Sequence, residues 1–137
     1  DSVASRGLGD VYKRQVFQAT EERSAWYQTV LAMFQDVDFL AVPTAQVFPF
    51  DAQLDWPKEI AGRSMDTYHR WMETVTPWTL AGCPVISVPV GFGAAGLPMG
   101  MQLIGPPRGD LAVLRLAHAY EQVRDWVGER SPQGLWG

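Results

Sequence analysis

Apolar residues recur at helical spacing in a segment that begins at Thr20. These positions are Tyr27, Val30, Leu31 and Phe34. Glu21 and Glu22 suit the positive end of the helix dipole. A continuous apolar run over residues 39–42 follows and stops at Pro43, which is typical of a strand buried on both faces of a parallel or mixed sheet. A helix that leads directly into a buried strand favours an α/β architecture.

The middle of the chain combines a long loop with a second helical pattern. Residues 44–63 have little periodicity, and a loop of this length inside a compact domain is usually functional. From Ser64, a suitable N-cap, apolar residues recur three or four positions apart on one face. They are Met65, Tyr68, Met72 and Val75. We therefore expect a helix over residues 64–76 that ends or kinks at Pro77.

The last third of the chain predicts two strands followed by a covering helix. Residues 85–90 are rich in β-branched side chains, and a glycine-rich turn separates them from a second strand over residues 99–104. From Asp110 an apolar stripe recurs at helical spacing. Its members are Val113, Leu116, Ala117, Tyr120, Val123 and Val127. The whole pattern predicts an α/β fold in which strands of a mixed sheet are covered by helices.

The two ends of the chain are set apart from this fold. Residues 1–15 lack the apolar core of a targeting signal and show neither a helical nor a strand period. They resemble translated adaptor sequence, so we interpret them as a non-native leader, with an ordinary flexible leader as the alternative. Residues 131–137 are expected to form a loose tail. The expected domain therefore covers residues 16–130.

Composition excludes some classes of function but does not identify one. The chain has 137 residues, of which 47% are hydrophobic, and its formal net charge is −4. It is long enough to bury one core, and the acidic balance offers no basic surface for nucleic acid or anionic lipid. One cysteine excludes an internal disulfide, and with two histidines it cannot complete a zinc cage. We expect a cytoplasmic protein with no metal, cofactor, nucleic-acid partner or membrane partner.

Two patterns suggest a nucleotide site or a hydrolase site, and each has a simpler structural interpretation. The spacing Gly91-x-Gly93-x-x-Gly96 matches the dinucleotide fingerprint, which needs a following helix to hold the pyrophosphate. Here a strand pattern follows, so these glycines predict a hairpin turn. Ser87 lies within a strand, whereas the nucleophile of a Gly-x-Ser-x-Gly hydrolase lies on a strand-to-helix turn. Neither pattern therefore predicts a catalytic site.

A thiol–imidazole pair is the remaining candidate for a nucleophile. Cys83 is the only cysteine, and the two histidines are His69 and His118. Because Cys83 lies between glycine and proline beside apolar runs, a small buried thiol is the simpler interpretation. The residues alone therefore predict no self-contained catalytic set.

Several ordered blocks resemble the C-terminal signature of the amidase-signature hydrolases. The main blocks are WTLAGCPVISVPVGF over residues 78–92 and GLPMGMQLIG over residues 96–105. The upstream block is FLAVPT over residues 39–44, and the downstream blocks are DLAVL over residues 110–114 and AHAYE over residues 117–121. All of them fall in the order that the family shows, and the resemblance covers roughly residues 21–124.

The resemblance implies an amide-hydrolysing enzyme whose catalytic residues precede this segment. Family members use a Ser–Ser–Lys triad, with a cis peptide bond before the bridging serine and backbone amides that stabilise the oxyanion. No Gly-Gly-Ser-Ser-Gly-Gly segment occurs here, and the only lysines are Lys13 and Lys58. We therefore expect no catalytic residue in this chain and no turnover by it alone. Its expected role is to complete the sheet and part of the substrate pocket of a parent enzyme.

On the substrate side, the resemblance predicts four pocket-wall residues. They are Trp71, Met72, Trp78 and Thr79. Thr79 stands where many members have asparagine, so a hydroxyl replaces an amide at that position. The family includes one of the subunits of glutamyl-tRNA amidotransferase, but the aromatic segment over residues 68–72 favours a stand-alone amidase that acts on an apolar or aryl amide.

A non-catalytic alternative also agrees with the pattern. The chain would then be a small α/β interaction or dimerisation module whose aromatic cluster binds a partner. For the amidase interpretation, the expected partners are a small-molecule amide, the preceding part of the same polypeptide and, as an open alternative, a second copy. Cooperative unfolding would favour the module, whereas aggregation or binding of the dye ANS would favour a fragment.

Overall fold

The computed structural model describes residues 2–131 and divides the chain into two units after Asp36. After the first helix, three strands are followed by two helices, and then by two strands and two more helices. The elements are α1 (Ser2–Asp36), β1 (Leu40–Pro43), β2 (Glu59–Ile60), β3 (Arg63–Ser64), α2 (Tyr68–Trp71), α3 (Thr76–Leu80), β4 (Val85–Phe92), β5 (Pro98–Ile104), α4 (Asp110–Val123) and α5 (Trp126–Glu129).

The first unit is the single long helix α1. The helix predicted from Thr20 is confirmed, but its predicted start is wrong because residues 2–19 are helical as well. Residues 9–25 are exposed on every side of the helix. Val11, Tyr12 and Val16 are apolar but exposed, so this part of the helix has no buried face. The origin of residues 1–15 as a leader stays a prediction.

The second unit is built on a three-stranded sheet in the order β1-β5-β4. Both pairings are antiparallel, and Ile104 on the central strand β5 lies opposite Leu40 on one side and Val85 on the other. The α/β class is confirmed. The pairing differs from the parallel or mixed arrangement predicted for β1, whose residues alternate between exposed and half-buried rather than being buried on both faces.

Strands β4 and β5 form the hairpin that the sequence predicts. The register shifts between Pro89 and Gly91, so an irregularity accommodates the proline in the strand. In the turn, Gly96 has a φ of 74°, a left-handed conformation that glycine adopts without strain. The expected hairpin turn is confirmed, with Gly93 and Gly96 between the strands and Gly91 near the end of β4.

Helix α4 covers this hairpin and closes the core. Val88 and Leu103 from the sheet pack with Ala117 from α4, and all three are buried. The predicted apolar stripe is confirmed as far as Tyr120, which packs against this cluster. It fails beyond that residue, because the helix ends at Val123, which is 78% exposed.

The helix predicted over residues 64–76 is wrong. Ser64 belongs to β3, which pairs with β2 across a turn that contains Ala61 and Gly62. The true N-cap is Thr67, whose side chain accepts a hydrogen bond from the backbone N–H of Arg70. Pro77 lies in the first turn of α3 rather than ending a helix, because proline is compatible with that position.

Candidate functional site

An aromatic cleft of about 280 Å³ lies where the end of β1 meets the start of β5. No charged side chain lines it. The lining residues are Thr44, Ala45, Val47, Phe48, Pro49, Phe50, Trp71, Pro98, Met99 and Gly100. A mostly apolar concave site of this kind suits an uncharged organic group, because an unpaired charge would lose its hydration there.

The floor of the aromatic cleft is fixed by close contacts between three strand segments. The backbone N–H of Thr44 donates to the carbonyl of Gly100 at 3.0 Å, and the Thr44 and Ser87 hydroxyl oxygens lie 2.9 Å apart. A Cβ on Gly100 would lie 2.9 Å from the Thr44 hydroxyl oxygen and 3.0 Å from that of Ser87. Glycine is therefore required for this approach.

Trp71 forms the aromatic wall from the end of α2. Its ring packs edge-to-face against Phe50, with the ring centres 5.6 Å apart. The side-chain amide of Gln46 donates to the carbonyls of Arg70 and Trp71, at 3.0 Å and 2.7 Å. Neither Gln46 nor Phe50 is predicted as a site residue, since both lie in the loop over residues 44–63, where no periodic signal selects them.

The charges near α2 are arranged as ion pairs among residues that do not line the cleft. The Arg70 guanidinium lies 2.6 Å from the Asp66 carboxylate, and Arg63 lies 3.3 Å from Glu73. The hydrogen bond from Arg70 lowers the pKa of Asp66, and the same bond raises the pKa of Arg70. This pairing therefore stabilises the fold above the ordinary pKa of the carboxyl and is lost as the pH falls through the lowered value.

Of the four predicted pocket-wall residues, the structure places Trp71 in the aromatic cleft. Met72 is half-buried and follows α2 directly. Trp78 is half-buried on α3, and its indole N–H donates to the carbonyl of Thr74 at 3.0 Å. Thr79 is exposed on α3. The last three do not line the cleft, so a role for them in substrate binding stays a prediction.

Lys58 and Ser87 share their residue types with the base and nucleophile of an amidase, but both are engaged in other contacts. The ammonium of Lys58 lies 3.1 Å from the centre of the Trp56 ring, a cation–π contact. Ser87 shares its hydroxyl hydrogen bond with Thr44. Neither contact resembles a serine activated by an adjacent base.

Cys83 is expected to react slowly with alkylating reagents. The thiol is half-buried, and burial raises its pKa, so less of the reactive thiolate is present near neutral pH. We expect iodoacetamide at pH 8 to modify the folded chain several-fold more slowly than the same chain in urea. Equal rates in the two conditions would contradict this prediction and would return Cys83 to the candidate nucleophiles.

A second groove, of about 350 Å³, lies between β4 and α4. Strand β4 has one strand neighbour in the described sheet, so its other edge carries unpaired backbone groups. Apolar side chains beside it are exposed, including Val85 at 40% and Leu114 at 56%. This combination of an open edge and exposed apolar side chains is typical of a surface that another segment covers.

Two further kinds of feature are absent from residues 2–131. No group of three or more histidine, cysteine, aspartate or glutamate side chains there is arranged to hold a metal ion. None of the helices in the same range combines the length and the apolar character that crossing a bilayer requires.

The comparisons with known sequences agree on one family. The family model described as Amidase matches residues 4–114. The A subunit of the glutamyl-tRNA(Gln) amidotransferase of Geobacter metallireducens is 33% identical over an alignment of 145 positions that covers 93% of this chain and 28% of the relative. Its counterpart in Thermodesulfovibrio yellowstonii is 35% identical over an alignment of 140 positions that covers 89% of this chain and 27% of the relative. The chain thus spans little more than a quarter of the length of these relatives.

Solved structures agree with the sequence comparison. A bacterial aryl acylamidase of the amidase signature family matches 90% of this chain and 26% of its own, with a TM-score of 0.78 and 28% identity. The A subunit of the glutamyl-tRNA(Gln) amidotransferase of Thermotoga maritima matches 88% of this chain and 25% of its own, with a TM-score of 0.63 and 30% identity.

Proposed function

Since this chain belongs to the amidase family, we propose that it is the C-terminal part of an enzyme that hydrolyses carboxamide C–N bonds. In this proposal a Ser–Ser–Lys triad precedes the segment, and the segment itself supplies sheet strands and one wall of the substrate pocket. The aromatic cleft is the observation that carries the proposal, because it offers a place for the organic part of an amide beside the blocks that resemble the family.

The proposed chemistry needs nothing from this chain but substrate positioning. The upstream serine attacks the amide carbon while its proton passes through the bridging serine to the neutral lysine. The amine then leaves with that proton, and water releases the acyl group as a carboxylate. Trp71 and Phe50 hold the apolar part of the substrate during these steps, and Met72, Trp78 and Thr79 complete the wall in the assembled enzyme.

The lining of the cleft supports an apolar or aryl amide as substrate. No charged residue lines the cleft, and Trp71 and Phe50 present ring faces and edges that stack well with an aromatic group. The aryl acylamidase among the structural neighbours is a relative whose name fits this chemistry. A second candidate is a component of an amidotransferase, which is favoured by the name that the curated relatives carry.

The open edge of β4 supports the fragment interpretation over the interaction module. An enzyme of the family would cover this edge and the groove beside α4 with the remaining part of its polypeptide. The 137-residue chain alone is then expected to bind ANS along this edge and to unfold at a lower temperature than the completed polypeptide. A sharp transition without ANS binding would instead favour the non-catalytic module.

The decisive experiment compares this chain with its completed reading frame. We would read the coding sequence that precedes Asp1, express the completed polypeptide and measure the release of aniline from acetanilide. We expect hydrolysis by the completed polypeptide and none above background by residues 16–137. Turnover by the short segment, or a completed frame without a lysine and a Ser–Ser loop, would contradict the proposal. Glutamine hydrolysis without acetanilide hydrolysis would favour the amidotransferase.

A further inference from the structure

We infer that Gln46 is a positioning residue that holds Trp71 in the wall of the aromatic cleft. One consequence of the inference rests on the proposed function, namely that Gln46 influences which substrates fit in the cleft. The positioning itself is a property of this chain, and it follows from the contacts of Gln46, Trp71 and Phe50.

The side-chain amide of Gln46 donates hydrogen bonds to two successive backbone carbonyls. The Gln46 Nε2 atom lies 2.7 Å from the Trp71 carbonyl oxygen and 3.0 Å from the Arg70 carbonyl oxygen. The Arg70 carbonyl also accepts from the backbone N–H of Glu73 at 3.3 Å, so Gln46 adds to the local turn at this end of the helix. Helix α2 has only four residues, so contacts from outside it contribute to where Trp71 lies.

The same loop holds both the backbone and the ring of Trp71. Gln46 binds the backbone at the end of α2, and Phe50 packs against the indole with ring centres 5.6 Å apart. The loop begins at Thr44, whose N–H is fixed to the Gly100 carbonyl on β5 at 3.0 Å. Gln46 therefore helps to fix the position of the Trp71 ring relative to the sheet, and α2 is not its only support.

A substitution of Gln46 supports positioning, rather than general stabilisation of the fold, only if its effect is confined to Trp71. Gln46→Met keeps the length of the side chain and removes both donors, whereas Gln46→Glu directs a carboxylate at two carbonyl oxygens. Gln53 is exposed in the same stretch of chain, so Gln53→Met is the matched control. Trp126 lies on α5 and donates to the Tyr120 hydroxyl at 3.1 Å, so its signal reports on the fold at another place.

The test is ¹⁹F NMR of the chain labelled with 5-fluorotryptophan. The six tryptophans give separate signals, and Trp71→Phe and Trp126→Phe assign the two that matter. We expect Gln46→Met and Gln46→Glu to shift or broaden the Trp71 signal and to leave the Trp126 signal in place. Gln53→Met should change neither signal. An unchanged Trp71 signal in Gln46→Met, or an equal loss of both signals, would overturn the inference.

Titration with acetanilide separates this inference from the proposed function. In the unsubstituted chain, acetanilide is expected to shift the Trp71 signal, and Gln46→Met should weaken that binding about tenfold, the effect of one or two lost hydrogen bonds. If the variants move the Trp71 signal but acetanilide does not, the positioning is supported and the substrate pocket is wrong. If acetanilide binds equally well to Gln46→Met, the influence of Gln46 on the substrate is wrong.

Discussion

Gln102→Glu is expected to lower the free energy of unfolding by about 3 kcal/mol or more. Gln102 is 3% exposed at the centre of the sheet. Its amide donates to the carbonyls of Pro43 at 2.9 Å and Thr74 at 3.0 Å. A carboxylate at the same place only accepts hydrogen bonds, so it would lie desolvated against two carbonyl oxygens.

Thermal unfolding of the completed polypeptide, followed by circular dichroism, measures this effect. In a larger domain of this kind, a loss of this size lowers the midpoint by several degrees. Gln102→Met, which removes the donors without adding charge, should cost less than Gln102→Glu. Gln53→Glu makes the same chemical change at an exposed position and should have little effect. If Gln102→Glu and Gln53→Glu gave the same midpoint, the two bonds of Gln102 would not stabilise the fold.

Trp71→Ala is expected to lower kcat/KM for acetanilide by roughly 10- to 100-fold in the completed polypeptide. The substitution removes the ring that packs against Phe50 and widens the aromatic cleft. The apolar surface that the substrate ring would cover is lost with it. Since a small aliphatic amide has no ring to place there, kcat/KM for acetamide should change much less.

The control for Trp71→Ala comes from the same helix. Tyr68 is also aromatic, is 49% exposed and does not line the cleft. Tyr68→Ala should therefore leave the preference for acetanilide over acetamide unchanged. Equal losses on both amides in Trp71→Ala would indicate a general defect of folding, and the role of Trp71 in the pocket wall would be wrong.

The parts of the fold that are predicted correctly have strong local signals. The β4–β5 hairpin follows from two β-branched runs joined by glycines, and α4 follows from a regular apolar stripe. The β2–β3 hairpin is missed because Ala61 and Gly62 form its turn without the asparagine or aspartate that usually marks one. In α1 residues 9–25 are all exposed, so the start of the helix has no buried apolar face to mark it.

The sequence predicts a residue of the candidate site only where the residue type is itself informative. Trp71 is predicted because an aromatic cluster near family blocks suggests a pocket wall, and it lines the aromatic cleft. Gln46 and Gln102 are missed, because their importance lies in carbonyls that are 24 or more residues away in the sequence. Polar side chains that bind distant backbone leave no pattern of neighbouring residues.

The strand order β1-β5-β4 has a consequence for the order of events during synthesis. Strand β1 leaves the ribosome well before its only described partner, since Gln102 on β5 is 59 residues beyond the carbonyl of Pro43 that it binds. At ordinary rates of translation this interval lasts several seconds. During that time β1 and the loop that carries Phe50 lack β5, whereas β4 and β5 can pair as soon as both have emerged. The aromatic cleft is therefore assembled late, after the hairpin that supports it.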